Sequence, residues 1–527
     1  MKVKKVVFLN GNFRRILNGK KFQAMAVENG IIKDIGTNSK IKPLKRCGYK
    51  VLDLRNGSAL PAIFDAHLHL LSLGNYFNRV NLDGLSSLEK ALHEIKKKAE
   101  QASAGKWVLG RGWNKNLWGD KFPDKTVLDN ITRNPVALFS KDGHLLWINS
   151  TTLQICGINK NTMNPDGGEI ERDRFGEPTG ILKENAVNIV EEHIPKQSKS
   201  EKVASIKVAQ NNLLKAGVIG AGDCNEDQEL FAIYKEMDSA GSLKLRIFKM
   251  IPKHQLDQAI KAGLRTGVGT DHFRTGCLKL FADGALGSQT ALMFEAYTGS
   301  TCNFGIETLT PAQILELADK ALRAGISLAI HAIGDKANFQ ALNSLGKFVE
   351  LYKSGNLRPR IEHAQLLRES EIQLFSQYEI IASMQPIHAT SDRDTADKYW
   401  GTRSRYAYAF KSLLRSGADL AFGSDAPIED WSPFAGIYAA VTRKRSTEKR
   451  KSWYPEEKIS LRQALTAYTS GSSRACRFND ITSDFSIGKK ADFLVLEDDI
   501  FKLKKSEIPG IRPLMTIIDG EIAYSIK

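Results

Sequence analysis

His67 and His69 stand two residues apart in the segment DAHLHL. On a strand, residues i and i+2 face the same side, so both imidazoles can reach one ion. Zinc takes such a ligand at about 2.0–2.1 Å. Alone the pair is a weak signal, and two satisfied core histidines are the plainer reading. Residues of the same chemical kind recur, however, in other apolar runs. His331 closes ISLAIH, His363 closes RPRIEH, Asp425 closes GADLAFGSD, and Lys279 lies within GCLKLF. The chain has only 10 histidines, and four of them occupy such positions. Each one singly reads as a core histidine. As a set converging on one mouth, they need a common partner, because buried polar groups without one are costly. Lys279 has two readings. As a plain ammonium it would pair with Asp283, and it would be repelled by divalent ions. Carbamylated by CO₂, it becomes an anionic, carboxylate-like ligand able to bridge two metals.

These residues need elements to hold them. Eight strand-like apolar runs cover residues 59–67, 217–223, 243–251, 276–281, 326–331, 358–363, 379–385 and 417–425. Near-continuous apolar runs are the mark of strands buried on both faces. The linkers between the later runs have helical period, as in PAQILELADKALRAG. Strand and helix in alternation predict an α/β fold with a parallel sheet, and eight units predict a (β/α)8 TIM barrel. The polar residues then fall at the C-terminal face, where barrels build active sites. The stretch between the first and second runs is far too long for a crossover, so a large lid-like insertion is expected over residues 71–200. Both chain ends read as short strands with Asn-Gly and Asp-Gly turns. Neither end is large enough for a core of its own. Residues 1–57 and 480–527 are therefore expected to form one composite small β-sandwich domain, with the barrel occupying 58–479.

Composition narrows the class. Over 527 residues, 42% are hydrophobic and 25% charged, an ordinary globular balance. No apolar run reaches 18 residues, and Val6 to Leu9 is too short for a signal-peptide core, so a cytoplasmic protein without membrane contact is expected. The six cysteines are scattered, with no Cys-x-x-Cys pair, and read as free thiols. The formal charge is +16. The densest basic run, Arg443 to Lys451, lacks interleaved aromatics, so it reads as a solvated surface loop rather than a nucleic-acid site.

The segments LPAIFDAHLHL, VALFSKDGHLLWINSTTL, GGEIERDRFGEPTGIL, LKLFADGALGSQTA, IHAIGD, RIEHAQ, MQPIHATSD, GSDAP and IGKKADFLVL together resemble the metal-dependent amidohydrolase superfamily. More narrowly they resemble its amidohydrolase 3 branch of YtcJ-like proteins, which includes N-substituted formamide deformylase. The resemblance runs over nearly the whole chain. It implies metal ligands at His67, His69, Lys279, His331, His363 and Asp425. His67, His69 and Asp425 would hold a first ion, His331 and His363 a second, with carbamylated Lys279 between them and Asp425 as general base. The implied cofactor is a divalent metal, zinc by type, at one or two ions per chain. Two departures touch no ligand: Ala62 stands where Gly is usual, and TSGSSRACRFND after Tyr468 is less Ala-rich than usual.

The resemblance implies hydrolysis of a non-peptide carbon–nitrogen bond, of amide or N-formyl type, in a small molecule by metal-activated hydroxide. An esterase or isomerase on the same fold is the alternative within the enzyme class, and a non-catalytic scaffold the alternative outside it. Trp113, Trp118, His144 and His388 are candidates for substrate contact. The two tryptophans read equally as insertion-core aromatics. No nucleic-acid partner is expected, and a homodimer is left open.

Overall fold

The computed structural model describes residues 4–119, 121–141, 144–482 and 484–526. The chain divides into two bodies: Met1–Ser72 with Ala209–Lys527, and Leu73–Val208.

The first body is built on eight strands: β1 (Ile63–Leu68), β2 (Val218–Asp223), β3 (Arg246–Pro252), β4 (Phe273–Phe281), β5 (Leu328–Ala332), β6 (Arg360–His363), β7 (Ile381–Met384) and β8 (Leu420–Phe422). They pair in chain order and every ladder is parallel. Each of the eight apolar runs contributes one strand to this sheet. Just beyond β8, the Asp425 amide donates to the His67 carbonyl at 2.7 Å. The first and last strands are thus joined at their exits, and the sheet is a nearly closed barrel.

Helices return the chain between strands, and their ends follow from sequence. Pro311–Arg323, between β4 and β5, begins with Thr310 capping the Gln313 amide while the Gln313 side chain accepts from the Thr310 amide. Pro311 fills the first turn, where its missing N–H costs nothing. Ile314, Ala318, Ala321 and Leu322 form the buried stripe, at the spacing a helix lays on its neighbour. Gly325, at φ +76°, takes the left-handed turn that follows.

The first apolar run serves two sheets rather than one. Ser58–Pro61 pairs antiparallel with Phe493–Leu496, and only Ile63–Leu68 enters the barrel. The Ala62 amide marks the change of partner, donating to the Asp492 carbonyl. Ser58–Pro61 belongs to a six-stranded sheet that also holds Asn12–Arg14, Lys21–Phe22, Met515–Ile518 and Glu521–Ser525. A four-stranded sheet of Lys5–Leu9, Ala24–Glu28, Ile31–Gly36 and Lys50–Asp53 accompanies it. One apolar cluster, including Phe8, Phe13, Met25, Phe485, Phe493 and Ile517, draws residues from both chain ends.

The Leu73–Val208 body has its own six-stranded mixed sheet. Its core includes Trp113, Leu138, Trp147 and Ile181.

The basic run is not simply solvated. Arg443 is fully buried, and its guanidinium donates to the carbonyls of Trp453, Tyr408 and Ala407. A planar fork of N–H donors can satisfy three carbonyls at once, so this arginine fastens the run to the barrel body. Among the described residues, no helix is long and apolar enough to cross a membrane.

Arg246 on β3 ties the barrel to the C-terminal segment. Its side chain is buried and donates to both oxygens of the equally buried Asp492 at 2.9 Å. Removing one partner of such a pair strands the other charge, which costs about 3–5 kcal/mol. Urea unfolding of Arg246→Ala is expected to show a loss of that order. A change below about 1 kcal/mol would reduce the pair to the rank of a surface ion pair.

Candidate metal centre

A cavity of about 350 Å³ lies at the strand exits of the barrel, lined among others by His67, His69, Lys279, His331, His363, His388 and Asp425. Local backbone explains how these side chains reach it. His67 is on β1 and His69 follows its end, and their ring centres are 5.8 Å apart. His331 is on β5 and His363 ends β6, with ring centres 4.5 Å apart. His388 opens the short helix His388–Ser391 after β7. Asp425 follows β8.

Two groups of donor atoms converge, each with all its atoms within 4.8 Å of one another: His67, His69 and Asp425, and His363, His388 and Asp425. Asp425 belongs to both. Its Oδ1 lies 3.2 Å from His69 Nε2 and 3.5 Å from His67 Nε2, and its Oδ2 lies 3.2 Å from His388 Nε2.

The electrostatics suit a cation. Burial opposes the charge of Asp425, but hydrogen bonds with His388 and His69 outweigh it and hold the carboxyl well below its usual range. Burial pushes the His67 and His363 rings down from their ordinary value, and His331 down to about 3, where the nearby Lys279 charge adds to the effect. Neutral imidazoles beside a carboxylate are the protonation states a divalent ion requires. His388 goes the other way. Burial lowers it, but Asp425 and Glu429 together push it up to about 10.

The hydrogen bonds fix which ring nitrogen keeps its lone pair. His67 Nδ1 meets the Glu362 carboxylate at 2.6 Å. A carboxylate only accepts, so Nδ1 carries the proton and Nε2 turns its lone pair toward Asp425. A lone pair and an anion that face each other are repulsive until a positive charge sits between them. A carboxylate behind the far nitrogen is also the usual support of a metal-ligating histidine. Glu362 is itself held, by Arg360 Nε at 2.5 Å and by the Ser383 hydroxyl at 2.7 Å. His331 Nε2 donates to the Gly284 carbonyl at 2.9 Å, which leaves Nδ1 as its lone-pair atom.

Lys279 is 2% exposed, and among the described residues its Nζ has no hydrogen-bond partner. Asp283 is not that partner. Its carboxylate accepts from the amides of Ile333, Leu292 and Gly334 at 2.8–3.0 Å. This orphaned nitrogen, on the same cavity as five imidazoles and the carboxylates of Asp392, Asp425 and Glu429, fits a residue that acts together with a divalent metal.

The other candidates for substrate contact belong to the Leu73–Val208 body. Trp113 is 1% exposed and donates to the Leu138 carbonyl, while Trp118 donates to the Leu85 carbonyl. The two indoles stack with centres 6.2 Å apart within the same hydrophobic cluster. Exposed His144 meets Glu184 at 2.9 Å. His388, by contrast, lines the barrel cavity and touches Asp425.

The sequence reading missed Glu362, Arg360 and Ser383. A signal was present in RPRIEH, where Arg358, Arg360 and Glu362 alternate with Pro359, Ile361 and His363. Charges at period two in a buried strand need each other.

A model of the amidohydrolase family matches residues 50–524. The chain belongs to that family. It is 30% identical to putative amidohydrolase YtcJ of Bacillus subtilis (strain 168), over 96% of each chain. It is 25% identical to an N-substituted formamide deformylase of Arthrobacter pascens, over 98% of each chain. Among solved structures it is similar to an uncharacterized metal-dependent hydrolase of Pyrococcus furiosus, with a TM-score of 0.78 and 28% identity over 94% of this chain and 99% of that one. Family membership and this neighbour make the chain a hydrolase of the metal-dependent kind, and the converging donors are where a divalent metal would sit.

Because Glu362 orients His67, Glu362→Gln is expected to weaken metal binding by about 10–100-fold, the usual worth of such support. Competition with a chelator, read on protein shown to be folded by its thermal midpoint, measures it. Unchanged metal affinity would make Glu362 a support of the barrel alone.

Proposed function

We propose that the protein hydrolyses a non-peptide carbon–nitrogen bond, of amide or N-formyl type, in a small molecule. The observation that carries this reading is the convergence of two donor groups on one shared carboxylate, Asp425, beside the orphaned Lys279 nitrogen. The deformylase relative supports the choice of bond. The eight-stranded parallel sheet supports reading the fold as a (β/α)8 TIM barrel, and the two sheets drawn from the chain ends support a composite β-sandwich.

His67, His69 and Asp425 would hold one ion, and His331 with His363 a second. Zinc suits imidazole and carboxylate donors. A bare ammonium at Lys279 would stand uncompensated in this cavity. Its carbamate, formed when the ammonium gives up one proton and the resulting amine adds to CO₂ and releases a second, would supply one negative charge shared over two oxygens instead. A bound divalent cation would bring the pKa of a coordinated water toward about 7 and polarise the scissile carbonyl.

The chain's own residues do the rest. Asp425 takes the proton of the attacking water and delivers it to the departing amine nitrogen. His388 hydrogen-bonds the other oxygen of that carboxylate and so fixes its plane. Glu362 holds the His67 ring in one tautomer. Phe281 and Ile428 give the cavity apolar wall.

Asp425→Asn separates the two tasks of this residue. The amide keeps the shape and one oxygen donor but cannot accept a proton. The catalytic constant on an N-formyl or N-acyl amine is expected to fall about 10²–10⁴-fold, while metal content by elemental analysis falls only in part. An Asp425→Asn protein with unchanged turnover would overturn the proton-transfer role. Full activity of the metal-free wild-type protein would overturn the metal reading.

A further inference from the structure

The Leu73–Val208 body has a cavity of its own, of about 400 Å³, whose cationic lining residues are Arg79, Arg111 and Lys141. Its position follows from the sheet. The strands Val80–Asn81, Val108–Trp113 and Val136–Ser140 run parallel, with Arg111 opposite Asn81 on one side and Phe139 on the other. Arg79 directly precedes the first of these strands, and Lys141 directly follows the third. Two arginines and a lysine are thereby brought to one concave surface. Phe139 and Ile194 give it apolar wall, and Glu191 is its one carboxylate among the described residues.

What matters in this cluster is that two arginines without partners share one cavity. The buried arginines of the other body are spoken for: Arg246 by Asp492, Arg274 by Asp480, Arg360 by Glu362 and Arg443 by three carbonyls. Arg79 and Arg111 are both partly buried. Among the described residues, neither guanidinium has a hydrogen bond or an ion pair within 4 Å. Instead Arg79 feels the charge of Arg111. Burial, followed by the charge of Arg111, lowers the Arg79 pKa from its ordinary value, and Glu191 offsets this only through space. Arg111 sits over the Tyr76 ring, 5.9 Å from its centre, which orients the guanidinium without neutralising it. Lys141 is exposed and already paired with Asp83 at 2.8 Å.

Two like charges drawn together without a counter-ion are a cost to the fold. An anion with two or three oxygens removes that cost, because each guanidinium presents a planar fork of donors that matches a carboxylate or phosphate. The cavity has the volume of small-molecule sites. We propose that it binds an oxyanion, the carboxylate or phosphate group of a small molecule, between Arg79 and Arg111. It shares no lining residue with the metal centre, and the proposal does not rest on the hydrolase reading.

The test is calorimetric titration of the full-length protein at low salt with inorganic phosphate and, separately, with acetate. One saturable site per chain is expected for at least one of them. The tighter of the two identifies a phosphoryl or a carboxylate group as the natural ligand. Arg79→Gln and Arg111→Gln should each weaken binding about tenfold or more, the worth of one charge-assisted hydrogen bond. Glu191→Gln should strengthen it, a change of sign that mere loss of structure cannot produce. Lys449→Gln, in the basic run of the other body, should leave it unchanged. If the arginine variants do not fold, as judged by thermal midpoint, Lys141→Gln and Glu191→Gln at exposed positions still give opposite shifts. Absence of saturable binding overturns the proposal. So does binding that survives in folded arginine variants, since that anion would be at the metal centre or on the general surface.

Discussion

The seam between the first and last barrel strands governs the rest of this structure. Asp65, buried within β1, accepts the amide of His67 at 3.1 Å and the amide of Ser424 at 3.0 Å through one carboxylate oxygen. The Asp425 amide returns a hydrogen bond to the His67 carbonyl. From behind, Arg360 on β6 donates to the Ala66 carbonyl at 2.6 Å. Gly423 has to be glycine here, because a Cβ would stand 2.6 Å from the His67 nitrogen. These contacts close the barrel, and the same contacts set His67 and Asp425 facing each other. Closure of the fold and assembly of the donor set are one event.

Charge is arranged around that seam in two layers. The outer layer, Arg360 with Glu362 and Ser383, is fully buried and closed on itself, with each acceptor met by a donor. The inner layer is left open. Asp425 is anionic, the His67, His363 and His331 rings are neutral, and the Lys279 nitrogen lacks a partner. Buried polar groups without partners are few in native proteins, and a set of them lining one cavity calls for a reason. The contrast between a saturated support and an unsatisfied centre is the physical basis for assigning the cation to the inner layer.

The strands were legible because parallel strands buried on both faces read as apolar runs, and the ligands because a polar residue closing such a run is conspicuous. What escaped reading shows where that logic stops. The run at residues 59–67 is continuously apolar, and nothing in it tells that Ser58–Pro61 pairs with one sheet and Ile63–Leu68 with another. Only the partner strand Phe493–Leu496, more than four hundred residues away, decides it. Arg443 looked solvated because neighbouring charges suggested water, whereas three backbone carbonyls brought in by distant loops consume its donors. His388 is legible only as a candidate for substrate contact and not as a partner of Asp425, because it follows its strand by several residues and carries no strand-end signal. It reaches Asp425 because a short helix turns the chain back over the cavity. The pattern of residues reports local environment, and these features depend on contacts distant in sequence.

Two ligand candidates also lie in backbone that ordinary residues avoid. His363 has φ +70° and Asp425 φ +60°, both left-handed, at a typical cost of about 1–3 kcal/mol each. Glycine would take either position without strain. An extended continuation of β6 or β8 would send the next side chains alternately into the barrel core and out toward the helices. A left-handed residue breaks that alternation and ends the ladder. The Asp425 conformation is held from both sides, by its amide on the His67 carbonyl and by its own carbonyl accepting from the Ile428 amide at 2.9 Å. Strain retained at two donor positions, where relaxed glycine would remove the donor, is what a fold shows when the side chain matters more than the local backbone energy.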